Sequence, residues 1–214
     1  MRNHGDSPHN PVHTYTSMAQ DIEAYIQENN LKKPSLIGHS MGAKAAMTVA
    51  LRRPDLISSF IAVDNSPVTA PLGRSFTRYA EGMRGIEAAN VKSQKEADQI
   101  LQKYEKALPV RQFLLTNLIR DQETGKYNFR IPVQILSNAL DEMAAFPYKE
   151  SDSVKFEGPA MFIRGTQSSY VKDESRPLIK RFFPNYQMVD VDAGHWLISE
   201  KPQEFKDAVT QFLS

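Results

Sequence analysis

Cysteine is absent from the 214 residues, which excludes disulfides, thiolate nucleophiles and thiolate metal sites and leaves the compartment open. An excess of either charge is missing too. Lys plus Arg number 26 against 25 Asp plus Glu, a net +1, so the balance gives no reason to expect nucleic acid or an anionic membrane as partner. No apolar run approaches the roughly 20 residues that a transmembrane helix requires. Residues 1–10 are polar and turn-rich where a signal peptide would carry an apolar centre. Internal repeats and low-complexity tracts are lacking as well. A chain of this length holds one domain with a sizeable core, and an α/β unit with an insertion suits it best.

What is present centres on residues 36–47, LIGHSMGAKAAM. An apolar run ends at Gly38, a serine sits between two glycines in the spacing G-x-S-x-G, and good helix formers follow at once. Strand, sharp turn and helix make a nucleophile elbow. Such a turn holds its serine in strained geometry and needs small flanking residues, a need assigned here to Gly38 and Gly42. It leaves the Met41 amide at a helix start, where unpaired N–H groups and the helix dipole favour a developing oxyanion. Ser40 is the candidate nucleophile and Met41 the oxyanion donor.

Around the elbow the chain alternates strand and helix. A helix from residue 16 to about 30, with Ser17 and Gln20 as a capping box, leads to a short strand at 35–37. The elbow helix runs to Arg52 and stops before Pro54, and the apolar run 59–63 ends in Asp64 and suits a strand covered on both faces. Residues 72–150 change character. Strand-like runs disappear, and helical patterns occupy 76–88, 95–108, 110–119 and 133–145, with a turn at 121–126. Alternation then resumes with a strand at 159–164, a helix at 174–183, a strand at 187–191 and a helix at 202–213. The expectation is a core of residues 1–71 and 151–214 interrupted by a helical cap of residues 72–150.

A serine hydroxyl is a weak nucleophile at neutral pH and needs a base within hydrogen-bond reach, itself oriented by a third group. His195, in the loop Asp192-Ala193-Gly194-His195-Trp196, follows a strand near the C-terminus, and strand-end loops on one side of a parallel sheet converge. It is the candidate base. His39 reads as a structural neighbour, and His4, His9 and His13 as solvent-facing loop residues. Pro11 lies between His9 and His13 and spoils their helical i, i+4 spacing, so no metal site is expected. The loop after strand 159–164, Gly165-Thr166-Gln167-Ser168-Ser169-Tyr170, holds no carboxylate. Asp64 and Asp173 remain. Asp64 follows Ser40 by one helix and one strand and is the better choice, with Ser168 as an auxiliary hydroxyl.

These residues carry a family resemblance. The chain resembles the abhydrolase domain-containing protein 11 group of α/β-hydrolases, which includes fungal ethanol acetyltransferases, through RNHGDSPH (2–9), GHSMGAKAAM (38–47), AVDNSPV (62–68), VRQFLLTNL (110–118) and AGHW (193–196). The resemblance implies an α/β-hydrolase fold and a serine hydrolase of carboxylic esters or thioesters, with acyl transfer to a small alcohol as a related outcome. Ser40, Asp64 and His195 match the family's nucleophile, acid and base, and Ser168 its auxiliary serine. An alternative acid position within the insertion falls on Gln134, which cannot serve. No cofactor is implied, the partner is a small acyl ester or thioester, and the family location is mitochondrial, otherwise cytoplasmic.

Cap residues Tyr79, Met83, Phe113 and Leu114 are candidates for the acyl pocket or for plain core. Family members also carry strands and an oxyanion loop before RNHGDSPH, so a chain beginning at Met1 is expected to have an incomplete sheet with an exposed edge and one remaining oxyanion donor. That keeps two rivals open: an impaired, truncated homologue acting as an interaction or regulatory protein, and carbon–carbon or lactone hydrolysis on the same fold.

Overall fold

The computed structural model describes residues 1–214 apart from the side chain of Arg74. In chain order, α1 (Tyr15–Glu28), β1 (Ser35–His39), α2 (Met41–Arg52) and β2 (Ser59–Val63) come first. Then follow α3 (Arg74–Ala89), α4 (Gln94–Leu101), α5 (Leu108–Leu115), β3 (Leu118–Arg120), β4 (Tyr127–Phe129), α6 (Val133–Asn138) and α7 (Leu140–Ala144). The chain closes with β5 (Ala160–Gly165), a single 3-10 turn at Asp173–Ser175, α8 (Arg176–Phe182), β6 (Tyr186–Val191), α9 (Leu197–Glu200) and α10 (Pro202–Leu213). Two compact units result, one of Tyr15–Thr69 and Ala145–Ser214, the other of Met1–Thr14 and Ala70–Ala144.

The first unit is a parallel sheet in the order β1-β2-β5-β6. Gly38 pairs with Ala62, Ala62 with Phe162 and Phe162 with Met188, so the four C-terminal strand ends lie along one rim. The ladder continues past the strands through Ser40 N–H to the Val63 carbonyl at 2.9 Å and Asp64 N–H to the Ile163 carbonyl at 2.8 Å. β2 is buried along its whole length, as its unbroken apolar run requires. Four alanines of α2, Ala43, Ala45, Ala46 and Ala50, are buried with Met47 and Val49, and their small side chains suit a helix lying close to a sheet. Phe60, Phe162 and Phe183 meet at ring-centroid distances of 4.9–5.8 Å. β1 is an edge strand, and its Ile37 is 49% exposed.

α1 begins at Tyr15, two residues before the expected cap. Ser17 is therefore a buried helical residue and the capping box at 17–20 does not form, while Tyr25 faces out. A capping arrangement with the same residue spacing is made instead at Ser93 and Glu96, the glutamate reaching back to the residue before the cap. The Glu96 N–H donates to Ser93 Oγ at 3.2 Å and the Lys92 N–H to Glu96 Oε2 at 3.0 Å.

The second unit has its own core of Met83, Ile86, Leu101, Leu115, Leu118, Phe129 and Val133. It is not purely helical. β3 and β4 form an antiparallel hairpin across the turn, where Asp121 Oδ1 accepts from the Thr124 N–H at 2.7 Å and Gly125 has φ 69°. Three-residue strands leave no readable alternation, and the helix expected over 110–119 ends at Leu115, short of β3. The helix expected over 95–108 ends at Leu101, and a new helix with Pro109 in its first turn begins at Leu108. The helix expected over 133–145 breaks at Ala139, which leaves the helical region (φ −94°, ψ 8°). Residues 1–14, expected with the sheet, group with this unit: the His9 Nε2–H donates to the Arg130 carbonyl at 2.9 Å. His13 is buried, with Nδ1 3.2 Å from Asn3 Nδ2, and is no solvent-facing histidine. Among the described residues no helix is long and apolar enough to cross a membrane, and no cluster of His, Asp and Glu could hold a metal.

Lys44 on α2 is 4% exposed, donates to the Ala145 carbonyl at 2.9 Å and lies 5.4 Å from the Tyr15 ring centroid. Burial lowers its pKa to about 8, against 10.5 when unburied. Below pH 8 both folded and unfolded chains hold the proton, and the buried charge weighs against folding. Between about 8 and 10.5 the unfolded chain binds more protons, so stability rises with pH. Urea unfolding from pH 7.5 to 10.5 is expected to show this rise in the wild type and a smaller one in Lys44→Met. Equal slopes would refute it.

Candidate active site

Ser40 closes β1 and caps α2 with φ 55° and ψ −114°, a region that side chains seldom enter and that costs about 1–3 kcal/mol. Gly38 makes the turn feasible, since a Cβ there would stand 2.2 Å from the Gly42 carbonyl oxygen. Gly42, unlike Gly38, is not required for room: a Cβ at that position encounters nothing within 4 Å. Met41 is the first residue of α2, and its N–H is among those without an intrahelical acceptor.

The four side chains singled out from the sequence meet at the rim. His195 Nε2 is 3.0 Å from Ser40 Oγ, and His195 Nδ1 is 2.7 Å from Asp64 Oδ2. Ser168 Oγ donates to the same Oδ2 at 2.5 Å, and the Gly165 N–H donates to Oδ1 at 3.1 Å. Asp64 is fully buried and, like Ser40, has positive φ, 49°. Its carboxylate can be so deep because three donors converge on it. Asp173 lies elsewhere: it is exposed, and its Oδ1 accepts from Arg164 and Arg176, both at 2.8 Å. Those hydrogen bonds, that to Arg176 foremost, hold its carboxyl below the usual carboxylate range. Gln134 is bonded to Asn138 in α6. Of the pocket candidates, Met83 belongs to the core of its own unit, Leu114 packs against that core, Tyr79 donates to Glu105 at 2.6 Å, and Phe113 is half exposed.

Several residues that spacing did not reveal hold this cluster. After Asp64, Asn65 Nδ2 donates to the Ser40 carbonyl at 3.1 Å and Ser66 Oγ to the Tyr170 carbonyl at 3.1 Å. Three consecutive polar residues at the end of an apolar strand thus reach Ser40, His195 and the loop after β5. The His39 Nε2–H donates to the His195 carbonyl at 2.8 Å, tying the His195 backbone to the strand that leads into Ser40. Burial, chiefly, pulls the His39 pKa down. The Gly194 N–H donates to Glu200 Oε2 at 2.8 Å and fixes the other side of the histidine loop.

Gly165 is a further requirement. A Cβ there would lie 2.4 Å from the Gly194 carbonyl oxygen and 2.7 Å from that of Ala193, both backbone atoms that can yield only if the His195 loop moves. Gly165→Ala is expected to lower kcat on a short acyl ester by about 100-fold, as a displacement near 1 Å does. An enzyme assay beside a thermal melt checks this; a variant with wild-type kcat would show that the loop tolerates the shift.

The chain matches the family model described as alpha/beta hydrolase fold over residues 1–202. It is 38% identical over 218 residues to the sn-1-specific diacylglycerol lipase ABHD11 of Mus musculus, covering all of this chain and 69% of that protein. A probable alcohol acetyltransferase of Saccharomyces cerevisiae is 37% identical over 229 residues, covering all of this chain and 67% of that one. Among solved structures, a marine microorganism esterase superposes with a TM-score of 0.92 at 31% identity, over 99% of this chain and 82% of that one.

Proposed function

Because the chain belongs to the α/β-hydrolase family, as an ester hydrolase of the group that holds ABHD11 and the fungal alcohol acetyltransferases, we propose that Ser40, His195 and Asp64 form its catalytic triad. The observation that carries the reading is the relay from Ser40 Oγ through the imidazole, at 3.0 Å and 2.7 Å, to a buried carboxylate. With Nδ1–H donating to Asp64, the Nε2 lone pair faces the hydroxyl.

Ser40 Oγ attacks the acyl carbonyl as its proton passes to Nε2, and the oxyanion forms toward the Met41 N–H at the start of α2. Collapse breaks the bond to the alkoxide or thiolate, which takes the proton from Nε2. Water or a small alcohol then attacks the acyl-enzyme, giving its proton to Nε2, and collapse of the second tetrahedral intermediate breaks the bond to Ser40 Oγ, which takes that proton back from Nε2 as the acid or ester leaves. Asp64 keeps the imidazole in the productive tautomer and balances its charge, and Ser168 holds Asp64 by a charge-assisted hydrogen bond. The bond cleaved is proposed to be a carboxylic ester, since an acyl group on an alcohol oxygen is common to the lipase and the acetyltransferase named above, with a thioester as the related substrate the same attack would serve.

An alkyl fluorophosphonate is expected to label the protein at Ser40, and Ser40→Ala to escape labelling. Failure of the wild type to react, or reaction at another serine, would refute the triad. Product analysis with acetyl and longer acyl esters and thioesters, in the presence and absence of ethanol, separates hydrolysis from acyl transfer: free acid alone marks the first and ethyl ester the second.

A further inference from the structure

The catalytic imidazole is held by more than its two hydrogen bonds. Tyr170 stacks on it with ring centroids 4.1 Å apart and planes 25° apart. The His39 ring lies at 4.8 Å, tilted by 36°, and the Trp196 ring at 5.9 Å in an edge arrangement. Stacking at 4.1 Å is the tightest of the ring contacts His195 makes with these three side chains.

The placement of Tyr170 is built rather than incidental. Its carbonyl accepts from buried Ser66, and its N–H donates to Ser168 Oγ at 3.3 Å, the same oxygen that donates to Asp64. Ser168 and Tyr170 therefore act from one three-residue stretch, the first on the acid and the second on the base. The charged or titratable groups facing the imidazole are Asp64 from the end of β2, His39 from β1 and Tyr170 itself. Burial, chiefly, raises the Tyr170 pKa and keeps the phenol neutral, so it presents a π face and no competing charge.

We infer that Tyr170 is a positioning residue for the proposed base: its ring, stacked on His195, keeps the imidazole aligned between Asp64 and Ser40 and favours the imidazolium that forms as the serine gives up its proton. The physical basis is twofold. A ring packed on one face removes the rotations that would break one of the two in-plane hydrogen bonds, and the aromatic quadrupole attracts the cation. Phenylalanine supplies both effects and leucine neither. This inference rests on the triad reading, with His195 as base.

The test compares Tyr170→Phe and Tyr170→Leu with the wild type in two measurements. In steady-state hydrolysis of 4-nitrophenyl acetate, Tyr170→Phe is expected to match the wild type. Tyr170→Leu is expected to lose about tenfold in kcat with little change in KM, and the acid limb of its kcat/KM profile to move about half a pH unit lower, as the imidazolium loses its aromatic partner. In NMR of histidine-labelled protein, the His195 ring protons are expected to lie upfield in the wild type and Tyr170→Phe and to move downfield in Tyr170→Leu, with the same downward displacement of the titration midpoint.

A Tyr170→Leu variant with unchanged ring-proton shifts, titration and kcat would overturn the inference, as would a Tyr170→Phe variant impaired as much as the leucine. A wild type that neither turns over nor reacts with fluorophosphonate would defeat the triad reading; the NMR comparison would still decide whether Tyr170 governs the imidazole.

Discussion

Ser40→Ala is expected to lower kcat for a short acyl ester by on the order of 10⁶-fold, the loss seen when the serine of a working triad is removed. The geometry explains the size. The hydroxyl is the atom 3.0 Å from His195 Nε2 and stands on a turn whose φ of 55° exists to present it. Alanine keeps the backbone and removes the nucleophile, so no acyl-enzyme can form. Stability should change little or rise, since the strain stays and only one polar atom is lost. Single-turnover assays with a chromogenic ester, read beside a thermal melt, check both parts. A loss below 100-fold would mean that another group attacks the carbonyl.

Asp64→Asn is expected to reduce kcat about 10⁴-fold, through the wrong tautomer and not through collapse of the site. The hydrogen bonds decide the orientation of the new amide. The Gly165 N–H, 3.1 Å from Oδ1, requires an acceptor there, so the NH₂ group takes the Oδ2 place facing His195 Nδ1 at 2.7 Å. An N–H donor at that point forces Nδ1 to accept and puts the imidazole proton on Nε2, where it faces Ser40 and cannot take a second proton. The Ser168 hydroxyl, also at Oδ2, can turn and accept from the amide, so the packing survives. The expected signature is a large loss in kcat, nearly unchanged KM and far slower labelling by fluorophosphonate. A loss within tenfold would show that the carboxylate does not set the tautomer.

β1 is the edge strand, with Ile37 half exposed, and Ser40 follows its C-terminal end. The serine is nevertheless held from its other side, by the Val63 carbonyl, by Asn65 and by the His195 loop through His39. These contacts lie within the sheet unit and come from β2 and the segments after it.

Much of the site was legible where the chemistry is local. The elbow needs a strand, a glycine, a serine and a helix within twelve residues, so its whole signal is contiguous, and β2 declared itself because a strand covered on both faces is apolar throughout. The choice of Asp64 over Asp173 required only the counting of strands. Other features had no local sign. The α1 start, the β3–β4 hairpin and the break at Ala139 turn on single residues or three-residue runs, too short for a periodic pattern. Gly42 looked obligatory because the motif contains it, yet the space beside it is open.

By itself, then, the order of residues determined which side chains are candidates for chemistry and which elements present them, because periodicity and tight-turn chemistry act over a few neighbours. The tertiary structure alone decided who touches whom. The β1-β2-β5-β6 order and its register set Asn65 on Ser40, Ser66 on Tyr170, Gly165 against the Gly194 carbonyl and Tyr170 on His195. Such partners lie 25 to 104 residues apart, and only the pairing of strands brings them within the few ångströms over which hydrogen bonds and stacked rings act.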